Sequence, residues 1–474
     1  MRHLATAGSL SRRQWLQRAA CGFGSVALLD ILSRSSTASA AQSAQRPPHH
    51  PPRARHVIFL FMQGGPSHVD TFDYKPKLAA EHGELKRFDD PRTRAKTGRV
   101  IEHQVMKSPW KFRRYGESGT WVSELFPYLA RCVDQLCFVH SAQTEGIAHG
   151  PATLFLHTGA IALVRPSMGA WILYGLGTEN ENLPGFITLN PPMNVGGPRN
   201  YGTAFLPASY QGTPLGRDTP GPNLLPNTQN PLYQRSVQQR HLQLVQALNA
   251  EQTRHGPTAS ELEAAIRSYE VAFRMQLEAP RLFDLSNEPD HTLKLYGIGQ
   301  KPTDRFGRQC LIARRLVEAG VRFVQVNYSN DAMPPWDQHS RIEQHAIHAR
   351  AVDQPIAALL IDLQRRGLLE ETLVWWSGEF GRTPYAEKRG TGRDHNPVGF
   401  TMWFAGGGVR AGYHHGATDE YGFQAVQDPV HMRDVHATIL YLLGLDHTRL
   451  TYTFAGRQFR LTDIGGRVVH ELIA

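Results

Sequence analysis

His56-Val57-Ile58-Phe59-Leu60-Phe61-Met62 runs without a break into Gln63-Gly64-Gly65-Pro66-Ser67. A continuous apolar run of that length predicts a strand buried on both faces, the mark of a central strand in a parallel sheet. The glycine-rich turn predicts a sharp exit at its carboxyl end. Comparable runs recur at 135–140, 186–189, 321–326, 372–376 and 400–404. Helical patterns lie between them, clearest over 242–251, 260–276, 305–319, 342–366 and 435–443, and Gly320, Gly367 and Gly444 stand where helices end. Helix, glycine turn and strand follow one another twice between 305 and 376. That alternation predicts an α/β domain with a mostly parallel central sheet and helices on both faces. Trp375 and Trp376 are consecutive, so one is expected on each side of the sheet.

In open α/β sheets ligands bind beyond the carboxyl ends of the strands. The polar residues that follow each run are therefore the candidates. Ser67, His68 and Asp70 follow the first, and His140 and His149 the second. Asp337 and His339 follow the run at 321–326, Glu379 and Arg382 follow that at 372–376, and Asp394 and His395 precede that at 400–404. Acids and imidazoles so gathered suit a divalent metal ion, with zinc, manganese and calcium all open. His345, His348, His414 and His415 are read as solvent-facing or loop residues.

The chain of 474 residues is 41 % hydrophobic and 20 % charged, ordinary globular composition that excludes disorder, collagen and coiled coil as its main state. No apolar run reaches the roughly 20 residues of a bilayer span. Ser11-Arg12-Arg13-Gln14-Trp15-Leu16, the apolar stretch 19–32 and Ala38-Ser39-Ala40 resemble a twin-arginine export signal over residues 1–40. The expected location is periplasmic or secreted, with the twin-arginine translocon as a partner in transit. Five arginines and one aspartate in that segment leave +5 of the formal +9 to the rest. No basic stripe with interleaved aromatics accompanies that charge, so no nucleic-acid partner is expected. Residues 41–54 read as a Pro-rich linker, 55–474 as the folded domain, and 191–235, rich in Pro, Gly and Asn, as an insertion or lid. Cys132, Cys137 and Cys310 are odd in number and lack CxxC spacing; buried thiols are expected.

Gln63–Asp73 (QGGPSHVDTFD), Arg165–Gly169 (RPSMG), Trp336–His339 (WDQH), Gly378–Pro384 (GEFGRTP) and Gly392–His395 (GRDH) resemble the signatures of domain-of-unknown-function family 1501. Its members are exported, sulfatase-like proteins placed in the alkaline phosphatase and sulfatase superfamily. The resemblance implies an alkaline phosphatase-like fold and metal-dependent hydrolysis of a sulfate or phosphate ester, with sulfated polysaccharide among the substrates. By that resemblance Asp337, His339, Glu379 and His395 are metal ligands. Arg382 steadies the anionic oxygens.

The departures from the superfamily pattern are specific. Gln63 stands where an Asp follows the first strand, with Asp70 or Asp73 as the substitute ligand. Phe380 stands where a His is usual. His149 occupies the nucleophile's place in His149-Gly150-Pro151, and no cysteine starts the sequence that formylglycine formation requires. His149 is therefore open as nucleophile, metal ligand or general base. Ser167 is the other candidate nucleophile or, equally, a helix N-cap. The alternative to an enzyme is a non-catalytic member that binds carbohydrate or a partner protein.

Overall fold

The computed structural model describes residues 46–180, 182–216, 234–254, 270, 273–275, 280–387 and 390–474. Residues 1–40, expected to be an export signal, and most of the helix expected over 260–276 lie outside the described residues. The chain divides into two compact units; the larger comprises residues 43–206, 210–228 and 271–474. The smaller contains a helix, Arg235–Arg254, that spans the predicted 242–251.

The larger unit is built on a nine-stranded sheet. Its strands, with the hairpin β7–β8 that stands off the sheet, are β1 (His56–Met62), β2 (Leu136–Gln143), β3 (Phe186–Leu189), β4 (Thr213–Leu215), β5 (Phe323–Tyr328), β6 (Thr372–Ser377), β7 (Gly381–Ala386), β8 (Arg393–Asn396), β9 (Phe400–Ala405), β10 (Tyr413–His415) and β11 (Val430–His431). The order across the sheet is β10-β2-β9-β6-β1-β5-β3-β4, with β11 also on β2. β1 is central, parallel to β6 and β5. β9 alone runs against its neighbours, pairing antiparallel with both β6 and β2. The sheet is thus mostly parallel, as the alternation predicts.

Alternate residues of β1 enter opposite cores. Ile58, Leu60 and Met62 join one with Trp376, under α4 (Asp304–Glu318) and α5 (His345–Arg365). Val57, Phe59 and Phe61 join the other with Trp375, against α2 (His149–Thr158), α3 (Met168–Leu176) and α6 (Met432–Leu442). The short helix α1 (Pro91–Thr97) precedes these in the chain. Two tryptophans on successive positions therefore weld both helical layers to one strand. Cys132, Cys137 and Cys310 are free and buried.

Two segments behave differently from their composition. Residues 46–54 of the Pro-rich linker are hydrogen-bonded to the domain: His49 and His50 donate to Gly444 O, Arg53 and Ala54 to Leu442 O. Proline, with φ already fixed, loses less conformational entropy than other residues on taking such an extended course. Within 191–235, Thr213–Leu215 adds an edge strand to the sheet beside β3, while 217–233 lie outside the described residues.

Candidate metal centre

Four strand ends and one hairpin deliver the site. The turn after β1 packs on the loop after β5, where Trp336 N–H donates to Gln63 O at 3.1 Å. Gly64 has φ +109°, and a Cβ there would lie 2.8 Å from the backbone nitrogens of Trp336 and Asp337. Only glycine permits both that conformation and that approach. Its N–H donates to both carboxylate oxygens of Glu379, each at 3.0 Å, so the end of β6 is tied to the same turn. His149 opens α2 beyond β2. His395 lies on β8, paired with Arg382 on β7, just before the reversed strand β9. Because β9 is reversed, its start falls at the edge where the parallel strands end.

At this edge His149, Asp337, His339 and His395 bring four ligand atoms together. Asp337 Oδ1 lies 2.9 Å from His339 Nε2, 3.1 Å from His149 Nε2 and 3.4 Å from His395 Nε2. The Nε2 atoms of His339 and His395 are 3.1 Å apart. The opposite nitrogen of each ring has an oxygen acceptor. His149 Nδ1 faces Glu379 Oε1 at 2.6 Å, His395 Nδ1 faces Ile147 O at 3.2 Å, and His339 Nδ1 pairs with Glu387 Oε2. A neutral imidazole has one N–H. Spent on those oxygens, it leaves three Nε2 lone pairs converging on a carboxylate oxygen, and His149 Nε2 is a buried atom with no hydrogen bond. Imidazoles held at the far nitrogen by carboxylate or carbonyl are the usual support of metal-bound histidine. Tetrahedral bonds of 2.0–2.1 Å place donors about 3.3 Å apart, close to the spacings here. The residues fit a divalent ion.

The electrostatics agree. Burial drives the His395 pKa down to about 2, keeping that ring neutral. Burial also lowers that of His149, but Asp337 and Glu379 outweigh it and the net shift is upward. A proton on His149 therefore competes with a cation. Asp337 is driven the other way: burial raises its pKa, but donation from the three imidazoles when their protons sit on Nε2, together with Arg382, holds it far below the usual carboxylate range, so those protons stand where a cation would.

Several expected site residues do other work. Arg382 is fully buried. Its Nη2 donates to Asp337 Oδ1 at 2.7 Å and to Gly64 O, its Nε to Gly65 O at 3.0 Å, and its Nη1 to Arg393 O at 3.2 Å. So occupied, it braces Asp337 and the glycine turn and is not free to clasp a substrate oxygen. Glu379 sits behind His149, hydrogen-bonded to its Nδ1, and is not one of the four gathered ligands. Asp70 is not a substitute ligand. It is fully buried and takes Arg393 Nε at 2.6 Å, Arg393 Nη2 at 3.2 Å and Ser67 Oγ at 2.5 Å. Ser167 is the N-cap of α3, its Oγ accepting Ala170 N–H at 3.4 Å, and it is buried. His345 is not on a solvated face: it is fully buried, and its Nε2 accepts Ser67 N–H at 3.0 Å. His414 is in β10, its Nδ1 2.9 Å from His140 Nε2.

Gln63 and Phe380, two of the departures named above, have a structural use. Gln63 bridges two loops, donating to Asn194 Oδ1 at 2.9 Å and accepting Asn330 N–H at 2.9 Å. Phe380 stacks on His395 at 4.2 Å between centroids and lies 5.0 Å from His149, an apolar wall that fixes both rings. Glu387, paired with His339 Nδ1, and Arg92, whose Nη1 donates to Asp394 Oδ1, were not legible as neighbours of the site. They arrive from the far end of a hairpin and from a short helix that no strand end announces.

Fold and site together define an α/β protein with a three-histidine, one-aspartate cluster at the carboxyl edge of its sheet. The chain belongs to the family described as protein of unknown function (DUF1501), whose model matches residues 54–473. No curated protein matches the sequence. Among solved structures it is similar to the lipoteichoic acid synthase LtaP of Listeria monocytogenes (9 % identity, 88 % of this chain and 78 % of that one, TM-score 0.35). It is also similar to the PsFucS1 sulfatase of Pseudoalteromonas sp. (12 %, 90 % and 71 %, 0.33). A third is the alkaline phosphatase of the Antarctic bacterium TAB5 (10 %, 84 % and 99 %, 0.33).

Proposed function

We propose that this protein is an exported, metal-dependent hydrolase of a sulfate or phosphate ester. The observation that carries the reading is the convergence of three imidazole lone pairs on Asp337 Oδ1, each ring oriented by an oxygen at its other nitrogen. His149, Asp337, His339 and His395 would hold the ion. Three nitrogens and one oxygen suit zinc or manganese; calcium, which takes six to eight oxygens, is the poorest match. A bound ion supplies Lewis-acid polarisation of the ester oxygen. Arg382 fixes Asp337, Glu379 fixes His149 and Phe380 keeps water from one side of the two rings.

With the His149 Nε2 lone pair given to the ion and the cysteines buried, we assign the attack to water. The ester class comes from the motif resemblance, and sulfated polysaccharide is the substrate to try first. The arginine pair and small-residue cleavage segment of residues 1–40 support export by the twin-arginine route.

The test is turnover of aryl sulfate, aryl phosphate and a sulfated polysaccharide by zinc- or manganese-loaded protein. Activity that needs the ion and is lost in His395→Ala supports the reading. Metal bound stoichiometrically with no turnover of any ester favours the non-catalytic alternative, to which the commitment of Gln63 to loop bridging already points.

A further inference from the structure

His339 divides two acidic groups. On its Nε2 side lies the cluster with Asp337; on its Nδ1 side lie Glu387 and Asp394, a second set of ligand atoms within reach of one ion. The superficial reading is two equivalent half-sites. Their hydrogen bonding is not equivalent. In the first the nitrogens present lone pairs. In the second, His339 Nδ1 is paired with Glu387 Oε2 and lies 3.7 Å from Asp394 Oδ1, and that same oxygen accepts Arg92 Nη1. Lys96, one turn further along α1, places Nζ 3.9 Å from Asp394 Oδ2. The second group, with one imidazole, already faces two protein cations, whereas the first, with three imidazoles, faces one, Arg382.

Arg92 is not a loose surface side chain. Asp90 caps α1, accepting the N–H groups of Arg92 at 2.9 Å and Thr93 at 3.2 Å, and Pro91 sets the first helical position. Asp90 in turn accepts the Tyr385 hydroxyl at 2.7 Å, which fastens the helix start to β7. Aspartate and proline at these positions are strong helix-start signals. Arg92 is only partly exposed and Asp394 is nearly buried. A guanidinium so placed cannot be chelated away, and any ion entering the second group must displace it at the cost of two like charges side by side.

We propose that Arg92 is the second cation of this site: it fills the group of His339, Glu387 and Asp394, so the protein takes one divalent ion and not two. The inference rests on the metal-binding reading above. The experiment saturates the full chain with manganese, removes free ion by desalting and counts metal per chain by atomic emission. Wild type is expected to hold one ion, R92K one, and R92Q two, the second taking Glu387, Asp394 and His339 Nδ1 with release of the Nδ1 proton so that the ring bridges as imidazolate; E387Q is expected to return R92Q to one. Two ions in wild type, or one in a folded R92Q, overturns the proposal. The wild-type count stands by itself should R92Q not fold. No ion in wild type would instead defeat the metal-binding reading, an outcome distinct from the other two.

Discussion

Two places at the same edge of the sheet use the same chemistry to opposite ends. At Asp70 a buried carboxylate meets Arg393, and every partner balances: Arg393 Nε and Nη2 and the Ser67 hydroxyl donate, and the remaining Arg393 bonds go to Thr383 O and Met106 O. At Asp337 one donor, Arg382, serves a carboxylate on which three bare imidazole nitrogens also converge. The first is a closed account that locks hairpin β7–β8 in place. The second is short of positive charge. Buried polar groups that balance hold a fold together, and those that do not balance mark where a ligand is expected.

The comparison breaks most visibly if Asp337→Ala still binds metal. Loss of at least about 100-fold in zinc or manganese affinity is expected, since the variant removes a ligand outright. Calorimetric titration checks it. Asp70→Ala should do the reverse: metal stoichiometry is retained in the folded protein, but stability falls by about 3–5 kcal/mol because Arg393 is left buried and unpaired. Denaturant unfolding measures that cost. A small cost would mean the pair is not the clasp described.

Glu379→Gln is gentler. The amide can still accept Gly64 N–H but holds His149 Nδ1–H less well, and metal affinity should drop about 10–100-fold with stability little changed. Smallest is the pH effect. The His149 pKa is raised in the folded protein, so its proton must leave before an ion binds. Metal affinity is therefore full above that raised pKa and falls about tenfold for each pH unit below it. In the ion-free protein the sign for stability is opposite. A raised histidine pKa contributes stability below the ordinary value of 6.5, and that contribution is lost as pH rises through the folded-state value. Affinity that does not change with pH would remove His149 from the ligand set.

The fold was largely legible because burial on both faces leaves an unbroken apolar run, as in β1, and because strand ends announce the site edge. That rule placed His149, Asp337, His339 and His395 in a wider set of candidates, from which the resemblance picked Asp337, His339 and His395 as ligands and left His149 open as nucleophile, ligand or base. What stayed hidden depends on partners distant in sequence. Asp70 looks like a ligand until Arg393 is seen beside it, and Arg382 looks like an anion clamp until its donors are found spent on Gly64, Gly65, Arg393 and Asp337. His345 opens a helix that presents Ile347 and Arg350 to solvent, yet it is itself buried, its Nε2 accepting Ser67 N–H. Glu379 carries no mark that separates a ligand from the residue that orients one; only its 2.6 Å contact with His149 Nδ1 decides.

The most direct test of the central claim is the metal content of purified protein after reconstitution with zinc and with manganese, beside His395→Ala treated identically. Binding in the parent at about one ion per chain, lost in the variant and accompanied by a rise in melting temperature in the parent alone, is the predicted result. No bound ion in the parent, or equal binding in a folded His395→Ala, would contradict it.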